Sequence, residues 1–140
     1  MTFSDGPLVS ITRVVDVPAR VLIAIMFLFS GVGKVTAAAA TQGYMEAHGV
    51  PGILVWPAAA WELAAGVLLV VGYGIRPLSI LLAGWCLLTA VIFHTAFGDP
   101  NQVVNFLKNL TMAGLFLMLA KTGSTVLSLD AARASRRAPG

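Results

Sequence analysis

The sequence is short of charge. Asp, Glu, Lys and Arg together make up 11% of its 140 residues, less than half of what an ordinary soluble domain carries. With 58% hydrophobic residues, a chain of this size cannot hide its apolar surface from water, because a small fold has too much surface for its volume. The mean hydropathy of +0.88 agrees, and lipid is the expected solvent for most of the chain. Cysteine is nearly absent too. A single one, Cys86, excludes an internal disulfide and Cys-x-x-Cys redox chemistry. The nine Lys and Arg residues outnumber the six Asp and Glu, but they lie scattered at the ends of apolar runs. Without a basic patch interleaved with aromatics, they argue against a nucleic-acid surface.

Four apolar runs are present, each near the 20 or so residues that cross a bilayer: residues 17–35, 53–73, 77–97 and 103–120. Gly49, Pro51 and Gly52, then Gly72, Gly74 and Pro77, then Gly98, Asp99 and Pro100 punctuate them where the chain must reverse. The second reversal is so short that the second and third spans are expected to be antiparallel neighbours. The fold class expected is an all-α integral membrane four-helix bundle. A segment 1–16 precedes the membrane domain of 17–121, and a basic tail of 122–140 follows it, its part after Leu129 expected to be disordered or to rest on acidic headgroups. Residues 36–48, rich in alanine but carrying Gln42, Tyr44, Glu46 and His48, suggest a short interfacial helix in the first outer loop.

Orientation follows from the cations. Arg13, Arg20, Arg76, Lys121, Arg133, Arg136 and Arg137 fall on one side, Lys34 and Lys108 on the other. Cytoplasmic flanks collect Lys and Arg, so both termini are expected inside. Trp56 and Trp61 suit an aromatic belt at the outer interface. The first run has a signal-peptide rival in the stretch 21–33 with its following alanines. Apolar sequence that begins ahead of Arg20, and Lys34 standing between the run and the alanines, favour a span.

Ionisable groups inside a bilayer are costly enough to need partners. Counted along the spans, Lys34, Glu62, His94 and the Asn105, Lys108, Asn109 and Met112 stripe all fall in the outer half, one contribution from each helix. The inner half is expected to be nearly all apolar. Glu62 is the natural hub, with Lys34 and Lys108 as partners and His94 and Asn109 filling further hydrogen-bond positions. Two readings stay open and are compatible. One is a closed polar lock that fixes the packing. The other is a pocket in which Glu62 and His94 exchange protons with a ligand while Lys34, Lys108, Asn105 and Asn109 bind it.

Other features read as structural. Gly31, Gly33 and Lys34 lack phosphate-loop spacing, and these glycines, with Gly66, Gly84 and Gly114, are expected to permit close helix contact. His48, His94, Glu46 and Asp99 have no metal-ligand spacing on one helix, so no metal site is assigned. Cys86 is expected to be a small buried hydrophobe, and Trp85 packing or lipid contact.

Taken in order, Phe29-Ser-Gly-Val-Gly-Lys34, His48-Gly-Val-Pro51, Trp61-Glu-Leu-Ala-Ala-Gly66, Ile75-Arg76, His94 and Asn105-Phe-Leu-Lys-Asn-Leu110 resemble the DoxX family of small bacterial inner-membrane proteins over residues 18–121. The resemblance implies a four-helix bundle in the bacterial cytoplasmic membrane. It also implies an association with thiosulfate:quinone oxidoreductase or with oxidative-stress complexes. Two classes of function follow as expectations. The first is a redox-associated accessory subunit of a membrane oxidoreductase, binding a quinone or another small ligand; no cofactor is built in, since no haem or iron–sulfur ligand set is present. The second is a non-catalytic scaffold or assembly factor held by the polar lock. The lipid bilayer is the expected partner in either case, with a membrane-bound oxidoreductase or a second copy of the chain as further candidates.

Overall fold

The computed structural model describes residues 7–124 and 127–137, apart from the side chains of 7–10 and 13. The first six residues of the expected N-terminal segment, and the Arg13 side chain counted for orientation, lie outside the described residues. Six α-helices follow in order, with no strand among the described residues: α1 Pro7–Thr36, α2 Ala38–Ala47, α3 Val55–Val71, α4 Ile75–Phe93, α5 Pro100–Thr122 and α6 Leu129–Arg137. A 3-10 turn, Gly52–Leu54, leads into α3.

Four stretches are long and apolar enough to cross a membrane: Val14–Thr36, Gly52–Val71, Ile75–Phe93 and Pro100–Thr122. The first belongs to a helix of 30 residues, about 45 Å at 1.5 Å per residue, so α1 projects well beyond the span expected from residue 17. Local chemistry sets the ends. Gly72, at φ 70°, supplies the left-handed residue that stops α3, and its N–H returns to the Leu68 carbonyl at 2.9 Å. Asp99 accepts from the Asn101 N–H at 2.9 Å and Pro100 occupies the first turn, an ordinary helix start for α5.

The bundle is two tight pairs, α1 with α3 and α4 with α5. A Cβ on Gly31 would lie 2.7 Å from Leu63 Cγ, and one on Gly66 would lie 2.6 Å from Leu28 Cδ2. These two glycines therefore let the first pair close. Gly33, Gly84 and Gly114 face open space, so the contact expected of them is not made. The second and third spans, joined by the short turn at Gly72–Gly74, pack far less on each other than on their pair partners; a tight turn forces antiparallel direction but not close packing. Bulky rings bridge the seams between the pairs. Phe27 meets Phe116 edge to face at 5.6 Å, and Trp61 meets Trp85 at 6.4 Å. Of the two tryptophans expected in an outer belt, Trp56 is exposed and Trp61 instead fills the α3–α4 seam.

The end of the bundle expected to be nearly all apolar is not so. Arg20 is 0% exposed, the largest fully buried side chain. Its Nη1 donates to the carbonyls of Leu69 at 2.9 Å and Val70 at 2.7 Å, its Nη2 to that of Leu127 at 3.0 Å, and its Nε to Asp16 at 3.3 Å. The last carbonyls of α3 have no partner within the helix, and a guanidinium presents five N–H groups in a fork able to serve several of them. The tail also departs from expectation, since α6 is helical and docked. Asp130 accepts from the N–H groups of Gly74 at 2.8 Å and Ile75 at 2.9 Å, capping α4 from another element.

Candidate functional site

Between the two pairs, at the end opposite Arg20, lies a cavity of about 540 Å³, within the usual range for small-molecule sites. Every one of α1 to α5 contributes to it. Met26 and Phe27 of α1, Met45 of α2, Leu54 and Pro57 beside and within α3, Cys86, Ile92 and Phe93 of α4, and Met112 of α5 make its wall mainly apolar. The α2 helix closes one end. Met45 is buried, Tyr44 stacks on Phe93 with ring centres 5.6 Å apart, and the Tyr44 hydroxyl donates to the Phe93 carbonyl at 3.3 Å. His48 Nδ1 lies 2.8 Å from the Tyr44 carbonyl, which only accepts, so that nitrogen carries the proton.

The polar groups in the wall are few and mostly engaged. Lys34 Nζ sits 2.8 Å from Glu62 Oε2 and 2.8 Å from Ser30 Oγ, one turn back on its own helix. Glu62 Oε1 accepts from the Trp85 indole N–H at 3.2 Å. The carboxylate is nearly buried, with 6% of its side chain exposed, whereas Lys34 keeps 22%. An ammonium has three N–H donors, and two of Lys34's are used. Asn109 also lines the cavity; its amide donates to the Asn105 carbonyl at 3.1 Å and accepts from Thr89 at 3.3 Å. His94 Nδ1 pairs with the Gln102 amide oxygen at 2.8 Å, leaving Nε2 as the ring's other polar atom.

Four of the six residues singled out from sequence therefore meet at one cavity: Lys34, Glu62, His94 and Asn109. Asn105 contributes its backbone carbonyl to Asn109 and stays out of the wall. Lys108 is exposed on α5 and does not reach Glu62. Sequence reasoning read Trp85 as packing or lipid contact and Tyr44 as part of an interfacial helix, and it passed over Ser30 and Thr89. Trp85 was open to discovery only by counting depth from the cavity ends of the two helices. Glu62 is seven residues from the start of α3 and Trp85 eight from the end of α4, so both lie about 10–12 Å deep. Among the described residues no three His, Cys, Asp or Glu side chains gather as a metal site would require.

The DoxX family model matches residues 15–95, a stretch that holds Lys34, Glu62, Trp85 and His94. The chain is similar to inner membrane protein YqjF of Escherichia coli (strain K12), with 42% identity over 112 residues, 80% of this chain and 86% of that protein. It is also similar to inner membrane protein YphA of the same organism, 38% identical over 120 residues, 80% of this chain and 85% of the relative. No solved structure matches the chain.

Proposed function

The chain belongs to the DoxX family of integral membrane proteins, and from that premise we propose that it binds a small amphipathic ligand in the cavity between its helix pairs, a quinone being the class favoured. The observation that carries this reading is the cavity itself. It is large enough for a ring-sized ligand, walled by apolar side chains, and has one ion pair in its wall whose lysine keeps a free N–H. Such a site takes an apolar body and a carbonyl head. Lys34 would donate to a ligand oxygen, His94 Nε2, whose ring gives its Nδ1 proton to Gln102, would accept from a ligand hydroxyl, and Glu62 would hold or release a proton. Electrons would come from a partner protein, which makes the chain an accessory subunit of a membrane oxidoreductase under this reading. The family and the two E. coli relatives support residence in a bacterial inner membrane. The bias of Lys and Arg supports cytoplasmic termini, with α2 at the outer interface.

A specific observation favours a second reading, the closed lock of a scaffold: both Glu62 oxygens are already paired within the chain. Organic extraction of the detergent-purified protein, followed by mass spectrometry, separates the two. The ligand reading expects a stoichiometric quinone with the wild type and its loss from folded Glu62→Gln. No enriched small molecule in either protein would leave the scaffold reading.

A further inference from the structure

Resting on the ligand reading above, we propose that the molecule bound is long-tailed, and that its tail leaves the cavity sideways through the seam between α3 and α4 into the bilayer. The seam is the looser kind of helix contact in this fold, because α3 and α4 each pack chiefly on another helix. A groove of about 320 Å³ lies along it, lined only by Trp61, Leu81, Trp85 and Leu88. Trp85 and Leu88 also line the cavity. Groove and cavity thus adjoin across Trp85 and Leu88, and that adjacency is what assigns the occupant.

The shared residues suit a threshold. Leu88 is 53% exposed on the outer surface although it lines the cavity, and Leu81 is 59% exposed, so the groove faces lipid at one side. Trp85 is held in place by its bond to Glu62 and by its edge-to-face contact with Trp61. The groove lining offers no charged side chain, so a head group gains nothing there. A hydrocarbon chain fits it and gains contact area along its length. The polar groups needed by a head lie beyond Trp85, at Lys34, Glu62 and Asn109. Head and tail are sorted by the chemistry of the two compartments.

Two probes with one head test this: a dimethoxy-methyl-benzoquinone without a tail, and its decyl derivative. Binding of each is measured in nanodiscs to the wild type and to Leu81→Trp, which fills the groove at an exposed position. Comparing proteins with the same probe cancels the probe's own partition into lipid. The expected result is a loss of about tenfold for the decyl probe alone, the effect of a few methylenes denied their contacts, with the tail-free probe unchanged. Equal binding of the decyl probe to both proteins, with the tail-free probe also bound, overturns the tail path and leaves the cavity reading standing. Failure of both probes to bind the wild type overturns the cavity reading and this inference with it. Leu81→Phe, a smaller filler, replaces Leu81→Trp if the latter folds poorly by thermal melting.

Discussion

Glu62 and Lys34 illustrate how far one residue can be argued from depth alone. A carboxylate that far along a membrane helix must be paired, and the lysine one helix away, at matching depth, is its partner at 2.8 Å. Removing Lys34 as Lys34→Met should leave Glu62 with the Trp85 indole only and cost about 2–3 kcal/mol, somewhat under the value for a fully buried pair because Lys34 is partly exposed. The double variant Lys34→Met with Glu62→Leu should recover most of that, since a well-packed apolar pair often replaces an ion pair without loss. Thermal unfolding in detergent of both variants checks this, and a double variant no more stable than the single one would refute the pairing account. Lys34, Glu62, His94 and Asn109 were legible because charge and amide groups stand out in apolar sequence. Trp85 was legible only through its depth matching that of Glu62, since an indole N–H does not stand out in apolar sequence. Lys108 marks the limit of the depth argument. Its neighbours Asn109 and Met112 face the cavity, but one residue is 100° of helix rotation, enough to turn a side chain at the stripe's edge outward.

The same contrast holds for elements. The four apolar runs correspond to four membrane-length helices, with the reversals at their Gly and Pro residues, because length and turn chemistry are local properties. Which helix packs on which is not local. The two glycines with partners, Gly31 and Gly66, and the three expected to have them but without, Gly33, Gly84 and Gly114, look alike in sequence and differ only in what faces them. The docked α6 was hidden for a similar reason: nine residues, seven of them Arg, Ala or Ser, read as a solvated tail, and only the fold brings Asp130 to the start of α4. That cap is testable. Asp130→Ala removes the acceptor of two N–H bonds and should cost about 1–2 kcal/mol, the upper part of the range for a single N-cap. Asp130→Asn, which keeps an acceptor oxygen, should cost less. Melting temperatures of the two variants in the same detergent check the order.

For the whole molecule, the division into two pairs matters most. Close packing within each pair and ring-bridged seams between them leave the cavity at one end, while Phe116 and the aliphatic core around Leu69, Leu78 and Leu82 fill the other, with Phe27 between the two. The fourth span is the least enclosed of the four, so lipid or another protein covers most of α5. Sidedness is a property of the whole chain too, and the proposed cytoplasmic termini carry a direct expectation. Green fluorescent protein fused after Gly140 should be fluorescent in a bacterial host, and alkaline phosphatase at the same site inactive. Active phosphatase there would invert the orientation and put the cavity at the cytoplasmic end.

The Arg20 fork bears on the order in which such a chain matures. Residue 20 enters the membrane with the first helix to be made, the Leu69 and Val70 carbonyls follow with the second, and Leu127 is synthesised only after all four spans. Until then the guanidinium lacks one of its acceptors, and the start of α4 waits for Asp130. The end of the bundle that holds Arg20 is therefore sealed only after the fourth span has been made. A chain that stops short of Leu127 carries in its first span a cation that lacks one of its acceptors.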